Sequence, residues 1–284
     1  MKRPVLIIGY NRPKNLAQVI RIAAEAPVSE LFIWLDGPKI DSDQDADKCE
    51  ESRQVVDSAL FPFPVTKHFS KGNLGCRDSV VGAITWFFSH VEAGIILEDD
   101  CVPSLGFFEF ADKMLSRYAR NPKVLTISGH QRLAEWSGGP FDYHFSRYPN
   151  VWGWATWSRV WSQFDPAIEA WPQIRSSGWP GSHIDLAPDA ARYWRYQFDR
   201  VHSGQVDTWD YQLTFLSMMT GGLNVSPHKN FISNIGFDST ATHTAVAPPA
   251  WLISQTANSG NLQKAPPLAR DKEKDRQTEL LVFR

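Results

Sequence analysis

Apolar residues in the first half of the chain come in short runs, each closed by a polar turn. Val5-Leu6-Ile7-Ile8-Gly9, Leu31-Phe32-Ile33-Trp34-Leu35, Gly94-Ile95-Ile96-Leu97 and Val124-Leu125-Thr126-Ile127-Ser128 have the length and β-branched content of strands buried on both faces. Val65 to Phe69 is a further strand candidate. Between these runs the apolar positions change to helical spacing: Leu16, Val19, Ile20 and Ala23; Val55, Val56 and Ala59; Val80 to Phe88; Phe107, Phe108, Phe110, Met114 and Leu115. Strand, helix and strand in alternation predict βαβ units, parallel pairing and right-handed crossovers. The acidic stretch Asp41 to Asp47 reads as a solvated loop, because it lacks the glycine and terminal glutamate of a calcium loop.

The pattern changes at Gln131. Nine of the twelve tryptophans lie between Trp136 and Trp209. Most supply core bulk, but Trp152-Gly153-Trp154 follows the turn Pro149-Asn150, which suits an indole at a cleft wall. A helix is expected over Leu186 to Val201, ended by Gly204, and another starting at Asp207-Thr208 with either residue as its cap. Beyond Pro248-Pro249 the pattern is loose, and Ala269 to Gln277 is dominated by charge, so residues 248–284 read as a peripheral, partly disordered arm.

Composition narrows the class. A chain of 284 residues at 43% apolar content buries a full core as one large domain or two closely packed ones. With 29 basic and 31 acidic residues it has no positive excess to bind nucleic acid or an anionic membrane. Cys49, Cys76 and Cys101 lack zinc-site spacing and read as reduced thiols. The apolar run after Met1-Lys2-Arg3 is too short for a signal peptide or a span, so the expectation is a cytoplasmic protein with no integral membrane span, compatible with peripheral contact at the inner membrane face.

The candidate chemistry sits where the fourth run ends, in Glu98-Asp99-Asp100-Cys101-Val102-Pro103. A strand that ends in three acids emerges into the crevice where open α/β sheets bind ligands. Alternation puts Glu98 and Asp100 on one side and Asp99 on the other. Carboxylates repelling one another invite a cation, and oxygen donors suit Mg²⁺ or Mn²⁺. Lys71-Gly72-Asn73-Leu74-Gly75-Cys76-Arg77-Asp78 precedes a helix and could wrap a diphosphate. It is not a Walker loop.

The order of these motifs resembles the GT-A-type nucleotide-sugar glycosyltransferases, most closely relatives of alpha-1,3-mannosyl-glycoprotein beta-1,2-N-acetylglucosaminyltransferase. The resemblance covers roughly residues 4–244 in motif order: Asn11-Arg12-Pro13, Asp36-Gly37, Glu98-Asp99-Asp100, Gly153-Trp154, Trp209-Asp210 and the Ser233 to His243 stretch. It implies a Rossmann-like α/β fold with a mostly parallel central sheet flanked by helices. Residues 1–130 would form a nucleotide-sugar-binding half, and the tryptophan-rich residues 131–247 the acceptor-side half of the same catalytic domain. It further implies Arg12 and Asp36 on the nucleotide, Asp99 on the ribose side, Glu98 on the sugar, Asp100 on the metal, Asp210 as general base, and Ser233 and His243 in a segment closing over the diphosphate, with His243 a further metal candidate. Lys71 and Arg77 would help neutralise the diphosphate, and Gly153 and Trp154 would face the sugar or acceptor.

The activity so implied is an inverting, Mn²⁺- or Mg²⁺-dependent hexosyltransferase. It would move a sugar from a UDP-sugar, UDP-GlcNAc among them, to a glycan or lipid-linked acceptor in surface polysaccharide or glycolipid synthesis. Asp207, three residues before Asp210, is the rival base. One alternative is a sugar-1-phosphate nucleotidyltransferase, against which stands the glycine-poor Gly9-Tyr10-Asn11-Arg12-Pro13. Another is a non-catalytic carbohydrate-binding protein.

Overall fold

A computed structural model describes residues 2–133, 140–179, 184–237 and 264–283. The expected parallel strands form: β1 (Arg3–Gly9), β2 (Val28–Leu35), β3 (Val65–Phe69) and β4 (Ala93–Glu98) pair in the order β3-β2-β1-β4. Helices α1 (Pro13–Glu25), α2 (Asp43–Ser58) and α3 (Cys76–Phe88) make the crossovers. The sheet then continues through β8 (Trp154–Trp157), β6 (Val124–Ser128), β9 (Leu223–Pro227) and β7 (Tyr143–Ser146), eight strands in all. β8 is antiparallel to both β4 and β6. Pairing therefore crosses residue 130 without a break. A two-stranded ribbon of β5 (Cys101–Pro103) and β10 (Ile232–Asn234) lies beside it, and α4 (Leu105–Tyr118) leads from β5 to β6.

The chain leaves β1 for β2 on one side and later returns to β1's other side as β4. This reversal of winding direction opens a crevice at the carboxyl ends of β1 and β4. The acids at the end of β4 are thereby carried into it.

Two apolar clusters form. The larger joins both faces of the sheet to α1, α3 and α4, through Leu6, Ile7, Leu16, Phe87, Phe107 and Trp154. The smaller gathers Trp171, Trp179, Trp194, Phe198, Phe215 and Phe283. It is built from α6 (Trp171–Ser176), α7 (Pro188–His202), α8 (Asp210–Thr220) and α9 (Lys272–Val282), while α5 (Ser158–Trp161) follows β8. The tryptophan richness thus mainly supplies packing, as expected.

Two sequence expectations change. Residues 41–47 are not wholly a loop, because α2 starts at Asp43, with Asp43 and Asp45 in its first turn where the helix dipole favours acids. Asp45 also accepts hydrogen bonds from the Tyr10 hydroxyl, Asn11 Nδ2 at 2.5 Å and Lys39 N at 2.8 Å. The second change is at the far end, where residues 264–283 are not peripheral. Asp271 N donates to Phe145 O at 2.8 Å, Asp275 accepts from Ser146 Oγ at 2.6 Å, and Glu279 accepts from Tyr148 Oη and Ala187 N, both at 2.8 Å. α9 docks through buried carboxylates, so no apolar stripe announces it. Residues 248–263 of the expected arm lie outside the described residues. No helix among the described residues is long and apolar enough to cross a membrane.

Candidate active site

At the carboxyl ends of β1 and β4 the chain forms a cleft of about 740 Å³, within the roughly 300–1,000 Å³ range of ligand pockets. Its centre is acidic. Glu98 ends β4, and Asp99 and Asp100 occupy the turn into β5. Asp99 Oδ2 accepts from Tyr10 N at 3.1 Å, and Asp100 Oδ2 pairs with Arg12 Nη1 at 2.8 Å. The same guanidinium nitrogen lies 3.6 Å from Asp99 Oδ1. Arg12 is placed there by Pro13, which starts α1 at its first turn and leaves Arg12 outside helical geometry just before it.

Burial pushes the Glu98 carboxyl well above its ordinary range, and the charges of Asp100, Asp99 and Asp210 push it further, with Arg12 opposing. Asp99 is raised by the same burial and by Asp100, against Arg12 and the Tyr10 amide. Around Arg12 the carboxyls of Glu98, Asp99 and Asp100 outnumber the guanidinium, and Asp210 adds to the repulsion on Glu98, while Lys39 and Arg200 line the cleft as well. All-oxygen donors fit Mg²⁺ or Mn²⁺. Among the described residues no three ligating side chains converge on one point. A cation here would take one or two carboxylates, Asp100 foremost, and complete its shell from ligand phosphate and water, the usual arrangement for Mg²⁺.

On one side of the acids lies Asp36, 5% exposed, whose carboxylate accepts from Gly37 N at 2.9 Å, Asn73 Nδ2 at 3.1 Å and Leu74 N at 3.1 Å. Burial raises its pKa while the backbone donors act the other way. Asp36 thus ties the end of β2 to residues 73–74 and shapes the cleft wall. Gly37 is required in this tie, since a Cβ there would fall 2.5 Å from Gly72 N.

The loop before α3 differs from expectation. Lys71 is exposed, Arg77 Nε pairs with Asp78 at 2.8 Å, and neither lines the cleft. The amino end of α3 already holds an anion from this chain: Asp207 accepts from Cys76 N and Arg77 N, each at 2.9 Å. Asp207 therefore caps α3 rather than α8, and fixes the segment that carries Asp210. Asp210 is the first residue of α8, and its Oδ1 accepts from Thr208 Oγ1 at 2.5 Å. Of the two rivals, Asp210 is the one whose carboxylate holds no backbone amide among the described residues. It lines the main cleft and also a smaller cavity next to it.

Trp154 is not at the cleft wall. It is 1% exposed within β8 and stacks on Trp209 with centroids 5.6 Å apart, whereas Trp152 lines the cleft. Gly153 serves packing: its φ is +58°, and a Cβ would meet Ile232 Cδ1 at 2.4 Å. Ser233 is exposed on β10, opposite Val102. Its neighbours do reach the acids, for Asn234 lines the cleft and Ile235 N donates to Asp100 O at 2.9 Å. Gly236 passes so near that a Cβ would lie 2.2 Å from Asp100 Oδ2. His243 lies outside the described residues. Sequence reasoning missed Tyr10; it placed Asn73 in the loop expected to wrap a diphosphate, and it expected an indole of Trp152-Gly153-Trp154 at the cleft wall but assigned that place to Trp154 rather than Trp152.

No family model and no curated protein matches the chain. Among solved structures it is similar to the 4-diphosphocytidyl-2C-methyl-D-erythritol synthase of Anaerococcus prevotii, at 9% identity and a TM-score of 0.35, over 78% of this chain and 99% of that one. It is similar also to a UDP-glucose pyrophosphorylase complexed with UDP-glucose, at 8% identity and a TM-score of 0.39, over 80% of this chain and 90% of that one. Both are nucleotidyltransferases, and the expected hexosyltransferase class is corrected accordingly. It rested on motif order alone, and none of these comparisons supports it. What stands is a mixed α/β, Rossmann-like fold with a mostly parallel sheet flanked by helices and an acidic cleft at its switch point.

Proposed function

We propose that the cleft binds a nucleoside-diphosphate sugar together with a divalent cation, and that the chain is a transferase acting at the phosphates of that ligand. The observation that carries this reading is the surplus of carboxylates around a single guanidinium at the sheet's switch point. Such a centre repels a bare diphosphate and accepts one that arrives with a cation. When bound, the cation supplies charge neutralisation to the phosphates. Arg12 meets the phosphate oxygens, the Asp36–Asn73 tie walls the nucleoside side, and Asp210 accepts hydrogen bonds from the sugar side.

The reaction we place first is nucleotidyl transfer. An oxygen of a sugar 1-phosphate attacks the α-phosphorus of a nucleoside triphosphate, the bond to the bridging oxygen breaks, and pyrophosphate leaves with that electron pair. Arg12 favours this reading, because it stands on the loop directly after the first strand, where it faces the charge of a triphosphate. The test is incubation with each common nucleoside triphosphate, glucose 1-phosphate and Mg²⁺ or Mn²⁺, assayed for pyrophosphate, beside a thermal-shift panel of nucleotides and nucleotide sugars. Metal-dependent pyrophosphate release is expected. Stabilisation by nucleotide sugars without it sinks the nucleotidyl step and keeps the binding site; no stabilisation by any nucleotide sinks both.

A further inference from the structure

Next to the main cleft, sharing Asp210 and Tyr211 with it, lies a second cavity of about 130 Å³ lined also by Arg132, Tyr148, Tyr193, Trp194 and Phe283. Its polar group is unusual. The partly buried guanidinium of Arg132 donates through Nε to Asn150 Oδ1 at 2.9 Å, and its carbon lies 5.7 Å from the Phe283 ring centre. Among the described residues no carboxylate comes within 4.0 Å of it, whereas Arg147, Arg175 and Arg270 each have one. A desolvated cation without an ion pair is costly. Burial lowers the pKa of Arg132, and Asp210 offsets this only through space. The hydroxyls of Tyr193 and Tyr211 lie 3.4 Å apart on the same wall. The cavity thus sets one guanidinium and two hydroxyls against a single carboxylate, Asp210, which forms no ion pair with Arg132 among the described residues.

We propose that this cavity is an anion subsite for the second substrate: it takes a phosphate or carboxylate that the sugar carries away from its reacting 1-phosphate, on Arg132 and the two tyrosine hydroxyls, and leaves the 1-phosphate to the main cleft. A guanidinium fork and hydroxyl donors suit an oxyanion. The volume admits such a group and excludes a nucleotide, which needs the larger cleft. The proposal rests on the transferase reading, in which a second substrate must approach Asp210. It also gives α9 a part in the site, since Phe283, one residue past that helix, forms the cavity wall.

The experiment titrates four probes without nucleotide, glucose 1-phosphate, glucose 6-phosphate, glucuronate and glucose, read by tryptophan fluorescence because Trp194 lines the cavity. UDP with Mn²⁺ is titrated separately. Wild type should bind glucose 6-phosphate or glucuronate more tightly than glucose, and Arg132→Gln should weaken that binding about 10- to 100-fold, as loss of a charge-assisted hydrogen bond does. Arg132→Lys should fall between, and Tyr211→Phe should weaken it less. Which anionic probe binds separates phosphate from carboxylate and one sugar carbon from another. Equal affinity in wild type and Arg132→Gln, equal affinity for glucose and its anionic forms, or no binding of any probe overturns the subsite. If Arg132→Gln does not melt cooperatively, Arg132→Lys and Tyr211→Phe decide by the same comparison. Failure of UDP with Mn²⁺ to bind would sink the nucleotide reading, while the sugar titrations would still judge the cavity.

Discussion

Two groups of carboxylates withdrawn from solvent, one at the end of β4 and one on α9, differ in a single respect. Asp275 accepts from Ser146 Oγ and Arg147 N and has the guanidiniums of Arg270 and Arg147 at 3.5 and 3.8 Å. Glu279 has the Tyr148 hydroxyl and the Ala187 amide. Each acid on α9 is supplied with donors by the chain itself, which makes it a structural fastener. Among the described residues Glu98, Asp99 and Asp100 share Arg12, the Tyr10 amide and one weak donor, Cys101 Sγ at 3.4 Å from Asp100 Oδ1. The same residue type becomes structural or functional according to whether its donors are complete, and the deficit at β4 is where we propose that a cation and phosphates bind.

The comparison breaks most visibly at the tryptophans on either side of the cleft wall. Trp154→Ala should cost about 3–5 kcal/mol, because it empties a packed site against Trp209. Trp152→Ala should leave the melting temperature nearly unchanged and weaken nucleotide-sugar binding. Denaturant unfolding of both variants with a UDP-glucose titration checks the pair; equal loss of stability would return Trp152 to the core.

Next in size is the α9 fastener. Glu279→Leu leaves the Tyr148 hydroxyl and Ala187 amide buried without their acceptor, at about 1–3 kcal/mol each. Asp100→Ala should show the reverse behaviour: little or no loss of stability in the free protein, since a repelling charge is gone, and loss of the metal-dependent gain. In wild type, UDP with Mn²⁺ at 100 times its dissociation constant should add about 2.7 kcal/mol. Equal gains with Mn²⁺ and with chelator would remove the distinction between the two acid groups.

Acidity sharpens the comparison further. Burial pushes His130 and His144 down to about 3, so these imidazoles stay neutral in the fold and take up protons only on unfolding. Their contribution is complete above the ordinary histidine value near 6.5 and is lost as pH falls toward about 3, with a limiting slope of about 1.4 kcal/mol per pH unit for each. The raised carboxyls of Glu98 and Asp99 act oppositely, favouring the fold as pH falls. The His130→Gln, His144→Gln double variant should therefore lose less stability than wild type between pH 7 and 5. Parallel melting curves across that range would refute the assignment. The smallest effect concerns Asp207→Asn, which weakens the cap on α3 and should cost about 1 kcal/mol. Asp210→Asn should cost nothing measurable in stability.

The parallel strands were legible because Val5 to Gly9 and Gly94 to Leu97 are buried on both faces and read as unbroken apolar runs. The acidic centre was legible because its residues adjoin one of those runs. The antiparallel insertion of β8 was not, since four residues rich in tryptophan carry no sign of strand direction. Neither was α9, whose buried face includes Asp275 and Glu279 and so looks solvent-facing in sequence. The cap from Asp207 to α3 joins positions 130 and 131 residues apart, beyond any local pattern. Asp210 and Trp152 were each within reach, but Trp152 and Trp154 are two residues apart and look alike in sequence; the structure separates them by starting β8 at Trp154.

The α9 fastener also sets an order of events in folding. Its contacts to Ser146 and Tyr148 span 129 and 131 residues, whereas β1, β2 and their crossover close within the first 35. Loop closure slows such distant pairings, and a chain made from its amino end presents β1 to β4 first. The acidic centre can therefore assemble while the cavity around Arg132 still lacks its Phe283 wall. Pulse-labelled hydrogen exchange should find the amides of β1 and β4 protected before those of α9, with simultaneous protection as the result that would deny this sequence.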